Sequence, residues 1–253
     1  MMSLFNTIEH ENAQYALPRM RAASKITFGD IHGVLPFSGT RNPISVSNTS
    51  YKAAFLYKTA ANSWKPRLGL VESGAELAVA EEILLNPDLY DLEFQPEVVR
   101  YRHPDGSDRT HYPDLRQTFH NGFRRLIFVR NASSLRKPST KAEIQAIIAA
   151  TPPSMAHAFT VIDADSYSRP RRENLRRMHR LVAFQPDAKA DELVEDLILS
   201  HGRYWLMSEL FPNADLPKWR IFQSCLRLIA TGKLMANMNA VISHHSHIWR
   251  PSA

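Results

Sequence analysis

Apolar positions are sparse at the start of the chain and become ordered near residue 73. Residues 1–68 are polar, rich in Ser, Thr and Asn, and carry Pro18, Pro36 and Pro43. That pattern predicts an extended or loosely packed arm. Ser73 is followed three residues later by Glu76 and then by LAVAEEILL. A small hydroxyl residue, a glutamate at the third helical position and an apolar run together make a capping box. A helix over about 74–85 follows, stopped before Pro87 because the residue preceding proline is pushed out of the helical region.

Residues 92–102, LEFQPEVVRYR, read as a strand that Pro96 interrupts, which suits a sheet edge or a bulge. His103-Pro104-Asp105-Gly106 is a turn. Residues 110–119 read as a second strand, Asn121-Gly122 as a hairpin turn, and 123–130, FRRLIFVR, as a third strand with an unbroken apolar centre. The three predict an antiparallel meander. A helix over 140–150 stops at Pro152-Pro153, residues 158–162 form a short buried strand, and 171–184 form a basic amphipathic helix with Leu175, Met178, Leu181 and Val182 on one side.

Pro186 opens a second unit. Its helix over 191–201 closes at Gly202, a short helix over 204–211 ends at Pro212, and a third begins after Leu216-Pro217 and runs to about Ala230. Trp219, Phe222, Cys225, Leu226 and Ile229 share its predicted core face, leaving Lys218, Arg220, Gln223 and Arg227 outside it. Residues 234–239 and 247–250 would pair as a hairpin. Three short helices and a hairpin are the winged helix-turn-helix order, with the third helix as reader and the hairpin as wing.

Composition agrees with folded domains. The chain has 253 residues, 44% hydrophobic and 22% charged, which excludes wholesale disorder. No apolar run approaches the roughly 18–20 residues of a membrane span, and the first residues show no secretory signal. The single cysteine, Cys225, points to a reducing compartment and away from a cysteine zinc site. The expected location is therefore cytoplasmic, at the nucleoid in a bacterial cell, with no membrane partner. The 31 Lys and Arg exceed the 25 Asp and Glu, a net charge of +6. The excess is concentrated: residues 1–68 hold eight basic against three acidic residues, and RPRRENLRRMHR (169–180) holds six arginines against one glutamate. Double-stranded DNA and a plain solvated surface are both consistent with such a distribution.

The candidate chemistry lies in Glu76, in Pro113-Asp114, and in the strand end Phe128-Val129-Arg130. Metal-dependent phosphodiester cleavage needs acidic ligands for Mg²⁺ and a nearby cation. A helix glutamate and a strand aspartate supply two such ligands. Each residue also has a plain alternative: Glu76 as the partner in its capping box, Asp114 as a strand-end residue, Arg130 as a solvated edge charge. His244, His245 and His247 lack metal-site spacing and read as a solvated wing.

In this combination the chain resembles the TnsA family of transposon-end endonucleases over roughly residues 66–250. The matching pieces are VESGAE with Glu76, FQP at 94–96, YPD with Asp114, IFVRN, STKAEIQ followed by AFTVIDADSYSRPRRENL with Asn174, and CLRLIATGKLMANMN. After the basic arm over 1–68, the resemblance implies a restriction-endonuclease-like PD-(D/E)xK domain over 69–185 and a winged helix over 186–253. It implies nicking of DNA at mobile-element ends with Mg²⁺, beside a transposase subunit and an ATPase regulator. Glu76 and Asp114 would be the metal ligands and Arg130 would replace the family's lysine. Phe128 stands where the family has an acidic or amide residue and would line the pocket in place of a third ligand. DNA contacts would come from Arg171, Arg172, Arg176, Arg177, Lys218, Arg220, Gln223 and Arg227. The alternative is a DNA-binding, assembly or regulatory protein that keeps the nuclease fold without cleavage.

Overall fold

A computed structural model describes residues 25–45, 52–201 and 206–251. Parts of the expected arm, including Pro18, Arg19 and Arg21, and the start of the expected helix over 204–211 lie outside the described residues. The fold is mixed α and β, and no helix among the described residues is long and apolar enough to cross a membrane.

The central sheet has the strand order β3-β6-β7-β8, with β3 at Leu89–Phe94, β6 at Leu115–Phe119, β7 at Arg124–Arg130 and β8 at Ala158–Asp163. β3, β6 and β7 pair antiparallel; β8 joins β7 in parallel. The unbroken apolar centre of β7 follows from burial on both faces. Ile127 and Val129 pack in the core under α1 (Gly74–Leu84), whereas Leu126 and Phe128 pack on the other side with Ile147 of α3 (Pro138–Ala150). A short helix, α2 (Ala132–Leu135), leads into α3.

The helix α1 starts as its sequence requires. Ser73 caps it by accepting from the Glu76 backbone N–H at 3.1 Å, and all residues from Ala75 to Glu81 are buried. A helix apolar around most of its circumference belongs inside a fold.

Two expectations are corrected. The meander keeps its order but not its tight first link. Neither 92–102 nor 110–119 is one strand, because each breaks at a proline, Pro96 and Pro113, which has no N–H for the ladder. The pieces beyond the breaks, β4 (Val99–Arg102) and β5 (Asp108–His111), form a separate hairpin. The main ladder ends at Phe94 opposite Leu115, after which the Gln95 N–H still reaches the Asp114 carbonyl at 3.1 Å. The expected arm is also partly core. β1 (Ala53–Tyr57) and β2 (Arg67–Val71) pair antiparallel, and Tyr57 and Val71 join the core beneath α1.

The chain then continues through α4 (Arg169–Phe184), α5 (Ala188–His201), a 3-10 turn (Met207–Asn213), α6 (Lys218–Ala230) and a hairpin of β9 (Met235–Ala236) and β10 (Ile248–Trp249). Met178 and Leu181 of α4 belong to the same apolar cluster as Val194, Ile221 and Cys225. The segment from Pro186 onward therefore shares its core with α4.

Candidate functional site

Four segments meet around Glu76 and Asp114. The capping geometry of α1 turns Glu76 back over the helix start. Its Oε2 accepts the Glu72 backbone N–H at 2.9 Å, and its Oε1 accepts the Ser73 hydroxyl at 3.3 Å. Asp114 follows Pro113 at the start of β6. Its Oδ2 accepts the Val129 backbone N–H at 2.8 Å and the Arg130 guanidinium at 3.0 Å. Both carboxylates are buried, at 8% exposure each.

The two groups feel each other. Burial comes first and the neighbouring Asp114 charge second in pushing the Glu76 carboxyl up to about 7. Burial also raises Asp114, against the opposing pull of Arg130 and of the Val129 N–H. Taking carboxylates out of water favours their neutral form, and a like charge nearby adds to that. Glu76 is therefore partly protonated near neutral pH.

The residues 25–45 form a strap over this corner. The Thr40 N–H and hydroxyl both bond the Gln95 carbonyl, at 2.9 and 3.0 Å. The Arg41 guanidinium bonds Gln95 Oε1 at 3.1 Å and Glu72 Oε1 at 2.6 Å, and lies 5.3 Å from the centre of the Tyr112 ring. Gln95 is buried and has φ +45°, a left-handed conformation at the break before Pro96. His111 stacks on Phe128 at 5.3 Å between ring centres. Burial and the Arg130 charge push its imidazole down to about 4. Arg41 and His111 carried no signal as site residues in sequence, and Glu72 and Tyr112 entered only as members of VESGAE and YPD. They are single polar residues in loops or at element ends, and only the path of the strap and the two proline breaks assemble them.

Phe128 is the principal correction. It is fully buried in the cluster with Leu126, Ile147 and Met155, beyond the sheet from α1. It does not stand in for a third ligand beside the pair. Residues with β7's other parity, Ile127 and Val129, face the α1 side. Arg130 reaches Asp114 because it sits at the end of the strand, where its long side chain also bonds the Val129 carbonyl at 2.8 Å.

As they stand, these carboxylates are held by the protein's own donors and are not arranged as a Mg²⁺ ligand set. Such an ion asks for near-octahedral oxygen ligation. Here both Glu76 oxygens and Asp114 Oδ2 already accept from chain donors, and Glu72 is engaged by Arg41. No group of three or more metal-binding side chains occurs among the described residues.

The expected DNA-contact residues divide into two sets. Arg176, Lys218 and the neighbouring Arg169 and Arg180 are exposed. Gln223 is half-buried. Arg171 instead pairs with Glu82 at 2.5 Å, and Arg172 bonds the Tyr167 carbonyl at 2.7 Å. Arg177 bonds the Ile242 carbonyl at 2.9 Å and lies 5.1 Å from the centre of Phe222's ring. Arg220 forms a two-pronged pair with Asp187 at 2.7 and 3.0 Å. Arg227 is buried at 4% exposure against Asp191. The expected core face of α6 is right at Cys225 and Leu226, which are buried, and wrong at its start: Ile221, Ser224, Arg227 and Leu228 also face inward, Phe222 and Ile229 are only partly buried, and Trp219 is 60% exposed. An arginine paired with an acidic residue of α5 or its N-terminal approach outweighed the apolar preference of Trp219.

No protein-family model matches the chain, and a search of the curated proteins finds no significant match.

Proposed function

We propose that the chain is a DNA-binding protein built on a restriction-endonuclease-like core and a winged-helix unit, akin to TnsA, whose carboxylate pair serves structure instead of metal-dependent cleavage. The observation that carries this reading is the bonding of Asp114. Its Oδ2 takes both the Val129 N–H and the Arg130 guanidinium, beside the buried Glu76. A helix glutamate, a strand aspartate and a basic residue at the end of the next strand meet at one corner, as in a nuclease core. The chain's own cation neutralises the aspartate there.

Support for DNA comes from exposed cations outside the internal ion pairs. Arg169, Arg176, Arg180 and Lys218 are exposed and make no hydrogen bond or ion pair among the described residues. Phosphate contacts release counterions, with a log–log salt slope of about −0.9 per contact. A transposase subunit and an ATPase regulator belong to the proposal as assembly partners.

The test pairs two assays on the full chain. Fluorescence anisotropy with duplex DNA is expected to show binding that weakens steeply with salt, with a shallower slope for Arg169→Ala combined with Lys218→Ala. Supercoiled plasmid with Mg²⁺ is expected to stay intact. Mg²⁺-dependent nicking lost in Asp114→Ala would replace this reading with the endonuclease one. Failure to bind duplex DNA even at low salt would remove both.

A further inference from the structure

A cavity of about 380 Å³ lies between α1, β1 and α4. Ala53, Ala54, Phe55 and Leu56 of β1 form one wall, and α4 forms the facing one. The volume falls in the range of small-molecule sites, which are commonly apolar with a few convergent polar groups.

Its chemistry is layered. Phe55 and Phe184 supply aromatic surface, and Phe184 is held from behind by Lys58, whose ammonium lies 4.7 Å from the ring centre. Glu81 and His179 line the cavity at 3% and 5% exposure. Each carries a buried atom with no hydrogen-bond partner, Glu81 Oε2 and His179 Nε2. Buried polar groups are nearly always paired; these two atoms have almost no accessible surface of their own, so a ligand in the cavity bonds them once the side chains turn toward it. Both are neutral near pH 7: burial pushes the Glu81 carboxyl up to about 8 and the His179 imidazole down to about 4. A neutral carboxyl donates and accepts at once. Arg176 and Arg180 also line the cavity, four residues apart and so on one face of α4. Both are exposed, and neither makes a hydrogen bond or ion pair among the described residues.

We infer that this cavity binds a nucleotide, with the phosphate on Arg176 and Arg180, the base against Phe55 and Phe184, and the base edge bonded by Glu81 and His179. The layers match that ligand class: an anion, a planar ring and a hydrogen-bonding edge. The inference rests on the DNA-binding reading for preferring a nucleotide to other anions with a flat body. The nucleotide could be free or an unpaired residue of a DNA strand.

The experiment is calorimetric titration of the full chain with the four deoxynucleoside monophosphates, a short single-stranded oligonucleotide, the same sequence as duplex, and inorganic phosphate. At least one monophosphate is expected to bind saturably and at least about tenfold tighter than phosphate alone. Arg176→Ala with Arg180→Ala should weaken it by at least that factor. His179→Phe keeps a ring packed against Phe55 and Phe184, so the protein should fold; it should lose nucleotide binding and keep duplex binding. Competition between oligonucleotide and monophosphate would make the strand the source, and its absence the free nucleotide; either supports the site. No monophosphate binding beyond that of phosphate, or binding unchanged in His179→Phe, overturns it. Duplex binding retained alongside that result would leave the DNA-binding reading standing.

Discussion

Helix α1 buries two glutamates five residues apart, and their surroundings differ in kind. Glu76, at the helix start, has both oxygens occupied by the Glu72 N–H and the Ser73 hydroxyl, and its neighbour Asp114 is held by Val129 and Arg130. Glu81, near the helix end, has a buried oxygen with no partner and faces a cavity. Burial raises the proton affinity of both, so a shifted pKa does not distinguish them. What distinguishes them is hydrogen-bond satisfaction. A buried carboxyl whose donors all come from its own chain is accounted for by the fold. One without donors points to something beyond it.

Four experiments would break or sharpen that contrast. The largest effect is expected for Phe128→Glu. If the Asp114 corner were a metal site lacking one ligand, this change would complete it and the protein would gain Mg²⁺ binding. The buried position of Phe128 predicts the opposite: loss of packing and a charge in the core, destabilising by about 4 kcal/mol or more. Urea denaturation with and without Mg²⁺ decides, and a folded variant stabilised by the ion would overturn the account of β7.

Asp114→Ala comes next. It leaves the Val129 N–H without its acceptor and Arg130 without its carboxylate. Removing one partner of a buried pair costs about 3–5 kcal/mol; because Arg130 is partly exposed, about 2–4 kcal/mol is expected here. A loss below about 1 kcal/mol in unfolding free energy from urea denaturation would mean that the corner is solvated and open.

The third concerns pH. Glu81 titrates near 4.5 when unfolded and near 8 when folded. The folded state therefore binds the proton more tightly, and this stability is fully present below about 4.5 and lost as pH rises through about 8. Glu76 acts in the same direction, ending near 7. His179 works oppositely: near 6.5 unfolded and near 4 folded, it contributes above about 6.5 and is lost as pH falls through about 4. Stability should decline on the order of 2–4 kcal/mol between about pH 5 and 9. Glu81→Gln should flatten most of that decline. A thermal midpoint that rises with pH across this range would contradict the burial of Glu81.

The smallest effect is expected for Ser73→Ala, about 1 kcal/mol for the lost cap. A much larger loss would show that Ser73 also sets the position of Glu76 against Asp114.

Much of the frame was readable in the chain. The start of α1 at Ser73, the Asn121-Gly122 turn, the basic helix after Ser168 and the order of the C-terminal elements all rest on local signals. A capping hydroxyl, a residue allowed positive φ and a helical apolar stripe act within a few residues. That Glu76 and Asp114 lie near each other was an expectation of the resemblance together with the order of helix and strands. The inward face of α6 was legible at Cys225 and Leu226 but not at Trp219 and Arg227, which exchange their usual places once Asp191 is there to receive the arginine. Glu81 left a faint trace, an acid inside the run LAVAEEILL.

By itself the sequence determined the approximate extent of most helices and of β7 and β8, and that the chain carries excess positive charge, since these follow from local backbone preferences and composition. Only the tertiary structure decided which face of β7 carries Phe128, which arginines are spent on internal pairs, and which of the two buried glutamates lacks partners. Those outcomes depend on groups far apart in the chain: Asp114 with Arg130 across a turn, Asp191 with Arg227 across two helices, and β1 with α4 around a cavity. Desolvation penalises every buried charge, and its relief comes from whichever donor the fold brings near.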